Sequence, residues 1–277
     1  MRNDPSFIEL RARERARKLL DEGSYRELLD PFDGIVSPWL VAQDIVPQAD
    51  DGMVVAKGTL NGKPTVVIAI EGAFQGGSMG EVSGAKMAAA LELAAEDNRN
   101  GIATQAVLCL ETGGVRLQEA NLGLAAIADI HAAIVDLRRY TPVIAIIAGT
   151  VGCFGGMSIA AALCSYLIVT REARLGLNGP QVIEQEAGIE EYDSRDRPFI
   201  WSMTGGEIRY RSGLVDALVD DGIQAVQQAV NAGLAQGVPA QHRSDQVSHY
   251  LPRLRDFDTR RQADSEQIKQ LFEEDRS

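Results

Sequence analysis

From Ser6 to Leu29, apolar residues recur at helical spacing between Arg, Lys and Glu, which predicts an amphipathic N-terminal helix. "DPFDGIVSPW" follows as a loop rich in Pro and Gly. Two runs of strand character, "GMVVAKGTL" and "PTVVIAIEG", flank Asn61-Gly62, a dipeptide that favours a tight hairpin turn. "FQGGSMGEVSGAKMAAALELAAED" reads as a glycine-rich loop opening a long helix, and "QAVLCLETGG" as a buried strand ending in Gly113-Gly114. "VRLQEANLGLAAIADIHAAIVDLRRYT" is a second long helix, stopped before Pro142. "VIAIIAGTVGCFGGMSIAAALCSYLIV" then runs from a strand through a glycine turn into a small-residue helix and back to a strand. "YLIVTREARLGLNGP" closes on a third glycine turn. The acidic stretch "VIEQEAGIEEYDSRDRPF" reads as a loop or short helix, residues 205–238 as short helices, and the charged tail beyond Pro252 as helical or frayed.

This alternation of strand and helix, with glycines at the strand-to-helix turns, predicts an α/β fold whose ligands bind at those turns. No stretch has the composition of a linker between independent domains. We divide the chain into an N-terminal helical segment (1–35), a main α/β domain (36–240) and a charged C-terminal tail (241–277). A net charge of −12 over 277 residues disfavours nucleic acid or an anionic membrane as partner, because phosphate repels an acidic surface. Cys109, Cys153 and Cys164 lie in apolar segments with no CxxC pair, so they read as buried reduced thiols rather than disulfides or a zinc site. No unbroken run of eighteen apolar residues and no signal-type h-region occur, which predicts a cytoplasmic protein with no membrane span.

Glycine at a helix start is unfavourable by roughly 1 kcal/mol, so "TGGVR" (112–116) and "FGGMS" (154–158) each need a reason. Amides at a helix N-terminus are free to donate and carry the positive end of the helix dipole. Paired glycines remove the Cβ atoms that block approach, so such a turn suits an oxyanion hole. The competing explanation is that these glycines only let a helix pack tightly on a sheet. Other chemistries fail on spacing. "GGSMGEVSG" lacks the ending of a phosphate loop, no GxSxG elbow is present, and no His, Cys or acidic cluster has metal-ligand spacing. His131 sits among alanines and reads as a packed or surface residue, while Ser78 and Ser83 suit helix capping as well as substrate binding.

The ordered set "GGSMGEVSGAK", "ETGGVRLQEA", "PVIAIIAGTVGCFGGMSIAAAL" and "LGLNGPQVIEQ" resembles the carboxyltransferase branch of the crotonase superfamily, over roughly residues 76–221. Within it, "LETGGVRLQEANLGLAAI" looks closest to malonate decarboxylase beta subunits, and the N-terminus lacks the cysteines of a zinc ribbon. The resemblance implies a crotonase-like spiral of ββα units, a single domain with an N-terminal helix. It implies a malonyl thioester decarboxylated through an enolate, with the amides of Gly155 and Gly156 as donors and Gly113 and Gly114 as the second candidate pair. Gly76, Gly77, Ser78, Met79, Phe154, Asn178 and Gly179 would form the substrate wall. No tightly bound cofactor or metal is implied. The acyl group would ride on the phosphopantetheine-type, dephospho-CoA-derived arm of an acyl carrier protein, or on CoA.

The implied partners are a gamma subunit supplying the other half of the site, the acyl carrier protein, and the transferase that loads it. The beta subunit of a biotin-dependent acyl-CoA carboxyltransferase shares the same motifs and is the alternative. A hydratase is disfavoured, because Met157-Ser158 and Asn178-Gly179-Pro180 stand where it would need carboxylates. Arg138, Arg139, Arg171 and Arg174 are expected either to form a basic rim for an acidic carrier or to be ordinary solvated arginines.

Overall fold

The computed structural model describes residues 4–119, 121–255, 257 and 264–272. In chain order its elements are α1 (Ala12–Leu19), β1 (Arg26–Leu28), α2 (Pro38–Val41), β2 (Met53–Leu60), β3 (Lys63–Ile70), α3 (Glu81–Arg99), β4 (Gln105–Cys109), α4 (Asn121–Leu137) and β5 (Val143–Ile147). They continue with α5 (Gly156–Leu163), β6 (Tyr166–Thr170), α6 (Pro180–Ala187), α7 (Arg197–Thr204), α8 (Gly206–Arg211), β7 (Ala217–Val219), α9 (Ile223–Gln236), α10 (Val247–Arg255) and α11 (Ser265–Gln270).

The strands form a seven-stranded sheet in chain order, β1 to β7. β1, β2 and β3 pair antiparallel, and β3 to β7 run parallel. Asn61 and Gly62 both take positive φ, 52° and 73°, so β2 and β3 close as the tight hairpin that this dipeptide favours. The central strands are buried along their whole length, as parallel strands covered on both faces should be. One face packs Leu91, Ile130, Ile134 and Met157 from α3, α4 and α5; the other packs Ala16, Leu19, Val226 and Val230 from α1 and α9. α3 and α4 approach closely at Gly84, where a methyl group would lie 2.3 Å from the Ala126 Cβ.

Three sequence expectations change. The N-terminal helix covers residues 12–19 rather than 6–29. Asp221 accepts from Ser6 Oγ at 2.5 Å and from the amides of Phe7 and Ile8 at 2.8 and 3.0 Å, which takes these groups out of a helix. Downstream, residues 26–28 are recruited to the sheet edge beside β2. The helix expected from Val115 begins at Asn121, because Arg116 N donates instead to Met79 O at 2.8 Å. Within 205–238, β7 joins the sheet and a fourteen-residue helix, α9, follows. In the tail, α10 continues through Pro252.

Candidate active site at the glycine turns

Parallel strands place the loops that follow them at one edge of the sheet, and four such loops interlock there. Gly113 N donates to Gly76 O at 2.9 Å, and Met79 N to Gly114 O at 2.7 Å. Thr112 N donates to Gly152 O at 2.8 Å and receives Phe154 N on its own carbonyl at 3.0 Å. Cys153 N donates to Arg174 O at 2.9 Å, and Gly155 N to Leu177 O at 2.7 Å. These bonds bring the Gly76–Met79 loop, Gly113-Gly114, Phe154–Gly156 and the segment leading into Asn178 and Gly179 into one continuous backbone ladder. Asn178 is exposed at its end, and Gly179 precedes α6.

The two glycine pairs meet directly. Gly114 has φ +111°, and a methyl there would lie 3.3 Å from Phe154 O. Gly155 has φ 61° and ψ −147°, a region open to glycine, and a methyl there would lie 3.2 Å from the Gly114 Cα. Gly156 is small for another reason: its methyl would lie 2.7 Å from Ile127 Cγ2 on α4. Packing therefore accounts for the missing Cβ at Gly156, and access to the amide does not require it.

The hydrogen bonds also redistribute the expected donors. The amides of Gly113, Gly114 and Gly155 are spent on Gly76 O, Thr112 Oγ1 and Leu177 O. Among the described residues, Gly156 N and Val115 N have no acceptor, one from each turn, and Val115 N lies 3.8 Å from where a Gly155 methyl would sit. An apolar cavity of about 210 Å³ lies beside α5, lined by Ser158, Gly176, Leu177, Arg209 and neighbours.

Buried charge holds the loops in place. Arg116, 1% exposed, binds Asp51 Oδ1 at 2.5 Å, Ser78 O at 2.7 Å and Ser78 Oγ at 3.2 Å. Asp51 also accepts from Ser83 N, and Glu119 from Glu81 N, which fixes the start of α3. Behind the second turn, Glu111 accepts from Gly152 N at 3.2 Å and from the buried Arg15 at 3.0 Å. Charged residues flanking the glycines in "LETGGVRLQE" were the available signal for this network. Their counter-ions Arg15 and Asp51 come from distant segments. His131, expected as a packed or surface residue, is half-buried on α4, with its Nε2 2.8 Å from Gly156 O.

The four arginines, expected either at a rim or as solvated side chains, do not share one surface. Arg138 is buried against Leu163 O and Ser244, and with Arg139 it ends α4 at the opposite edge of the sheet. Arg171 pairs with Glu207, and Arg174 turns inward to Thr150 O between the rings of Phe154 and Trp201. Among the described residues no group of three His, Cys, Asp or Glu is placed to hold a metal ion, and no helix is long and apolar enough to cross a membrane.

A mixed sheet whose successive parallel strands lead into interleaved glycine turns defines a class, and comparison assigns it. The chain belongs to the carboxyl transferase domain family, which matches residues 9–272. It is similar to one chain of a Pseudomonas malonate decarboxylase hetero-tetramer crystallised with malonate, at 69% identity over 98% of both chains and a TM-score of 0.95. It is likewise similar to a chain of a Pseudomonas malonate decarboxylase MdcD-MdcE hetero-dimer, at 62% identity, 91% and 97% coverage and a TM-score of 0.78. A malonyl-S-ACP:biotin-protein carboxyltransferase from Malonomonas rubra is 42% identical over 83% of this chain and 76% of its own length.

Proposed function

We propose that this chain is the beta subunit of a malonate decarboxylase, converting a malonyl thioester on an acyl carrier protein to the acetyl thioester and CO2 together with a gamma subunit. The 69% identity across 98% of a malonate decarboxylase chain carries this reading. Losing CO2 leaves an electron pair delocalised onto the thioester oxygen as an enolate, so donors fixed near that oxygen stabilise the transition state more than the substrate. Gly156 N and Val115 N are the donors, in place of the Gly155–Gly156 or Gly113–Gly114 pairs. Gly113, Gly114 and Gly155 serve by holding those two amides at the junction of the turns. Gly76, Ser78, Asn178 and Gly179 line the approach of the phosphopantetheine-type arm, with Gly77, Met79 and Phe154 buried beneath them as its support. The catalytic unit comprises residues 36–240 together with α1 and β1 of the N-terminal segment, which join its core and its sheet, and the three buried free thiols suit the reducing cytoplasm.

Exposed apolar residues border the site: Leu117 is 79% exposed, and Leu124, Ile159 and Leu177 are exposed around it. A surface of this kind is covered in an assembly, and the gamma subunit is the partner that fits. The test is CO2 release from malonyl-carrier by this chain alone, by the chain with its gamma subunit, and by the complex with avidin. Turnover confined to the complex and untouched by avidin supports the proposal. Turnover by the chain alone overturns the shared site, and avidin inhibition gives the carboxyltransferase reading instead.

A further inference from the structure

The peptide unit joining Gly155 to Gly156 has two ends, and the function above uses its N–H. Its carbonyl, Gly155 O, is the acceptor for two groups of one residue: Ser158 N at 3.0 Å and Ser158 Oγ at 2.7 Å. The next carbonyl, Gly156 O, is held by His131 Nε2 at 2.8 Å from α4. Both peptide planes at the start of α5 are therefore fixed from their carbonyl ends, and the Gly156 amide cannot rotate without breaking a side-chain bond.

We propose that Ser158 is a positioning residue for the Gly156 oxyanion donor. Resting on the function proposed above, this assigns the serine hydroxyl a part in catalysis without contact with substrate. Two physical effects combine. Donation into a carbonyl polarises the whole amide, so its N–H becomes a stronger donor, and hydrogen bonds in series reinforce each other by about 10–30% per bond. The hydroxyl also keeps the peptide plane at one angle. That angle matters because an oxyanion donor acts without reorganisation at the moment charge develops. Gly155 needs this second restraint because glycine offers little intrinsic resistance to rotation.

The experiment uses the assembled complex and the variants Ser158→Ala and Ser158→Thr. Threonine in a helix can place its Oγ1 on the carbonyl three residues back, the same Gly155 O, so it restores the bond. The expected result is a roughly tenfold lower kcat for Ser158→Ala, a fraction of the 10²–10³-fold that loss of a whole donor costs. KM and assembly should be unchanged, and Ser158→Thr should recover most of the rate. Unchanged kcat in Ser158→Ala overturns the proposal, as does a loss matched by the fall in assembled protein or one that threonine does not repair. A second readout is independent of the reaction. In glycine-labelled protein the Gly156 amide proton should move upfield in Ser158→Ala and return in Ser158→Thr; a signal that does not move overturns the proposal even if the complex has another activity.

Discussion

Gly114 and Gly155 lie backbone against backbone, so close that a methyl on Gly155 would sit 3.2 Å from the Gly114 Cα. Two turns separated by about forty residues thus form one junction, and the neighbouring glycine, Gly156, answers to a different neighbour. The substitutions Gly155→Ala and Gly156→Ala should therefore fail for different reasons. In Gly156→Ala the obstacle is Ile127 Cγ2, so Ile127→Ala in the same chain should restore thermal stability and most of the decarboxylation rate. In Gly155→Ala the obstacle is the positive φ, costing of order 1–3 kcal/mol, and no substitution at Ile127 should help. Melting temperatures and kcat of the single and double variants decide the point; equal rescue of both would contradict the geometry.

The Arg15–Glu111 pair ties α1 to the turn carrying Gly152, with Arg15 also donating to Phe7 O and Ile8 O. Arg15→Met leaves Glu111 a buried carboxylate without its counter-ion, a change that typically costs about 3–5 kcal/mol. Adding Glu111→Gln removes the stranded charge and should recover a large part of that loss. Urea denaturation of the three variants measures it, and additive losses in the double variant would show that the pair does not couple.

Leu117 and Leu124 should behave as contact residues. Leu117→Glu and Leu124→Glu alter exposed positions, so the isolated chain should keep its stability within about 0.5 kcal/mol. The dissociation constant of the complex should rise at least about tenfold, since a desolvated interface core does not accept charge. Calorimetry of the two subunits gives the answer; unaltered affinity would place the partner elsewhere.

Alkaline pH should weaken the fold through its thiols. Burial pushes Cys109 and Cys164 up to about 12 and raises Cys153 as well. The unfolded chain loses these protons from about pH 8.5 while the folded chain keeps them. The stabilising contribution is therefore complete below about pH 8.5 and falls as pH climbs toward 12, by about 1.4 kcal/mol per pH unit for each thiol. Melting curves from pH 7.5 to 10 should show the decline, and Cys109→Ala should make it shallower. A slope identical in wild type and variant would remove Cys109 from the account.

Much of this architecture is visible in the chain because local chemistry dictates it. Asn61-Gly62 can close a hairpin wherever it stands, and the buried runs of β4 to β6 announce a covered parallel sheet. The glycine pairs marked the loops that follow β4 and β5, and those two loops proved to be neighbours in space. Which amides stay free was not legible, since Gly155 N finds Leu177 O and Gly113 N finds Gly76 O only after four loops have met. The same holds for Glu111 and Arg116, whose partners Arg15 and Asp51 lie 96 and 65 residues away. A three-residue strand such as β7 carries too short a pattern to register, and the start of α4 was set by Met79 rather than by helix propensity.

The grip of Asp221 on Ser6, Phe7 and Ile8 spans 213 to 215 residues of chain. Closing a loop of that length in an open chain costs about 5 kcal/mol in entropy, and three hydrogen bonds to a carboxylate, about 1.5–3 kcal/mol each, roughly offset it only when all three form together, in a geometry that the intervening chain must already hold. The clasp is therefore a latch rather than a seed. It engages once the sheet has already brought Asp221, just past β7, beside the N-terminal segment.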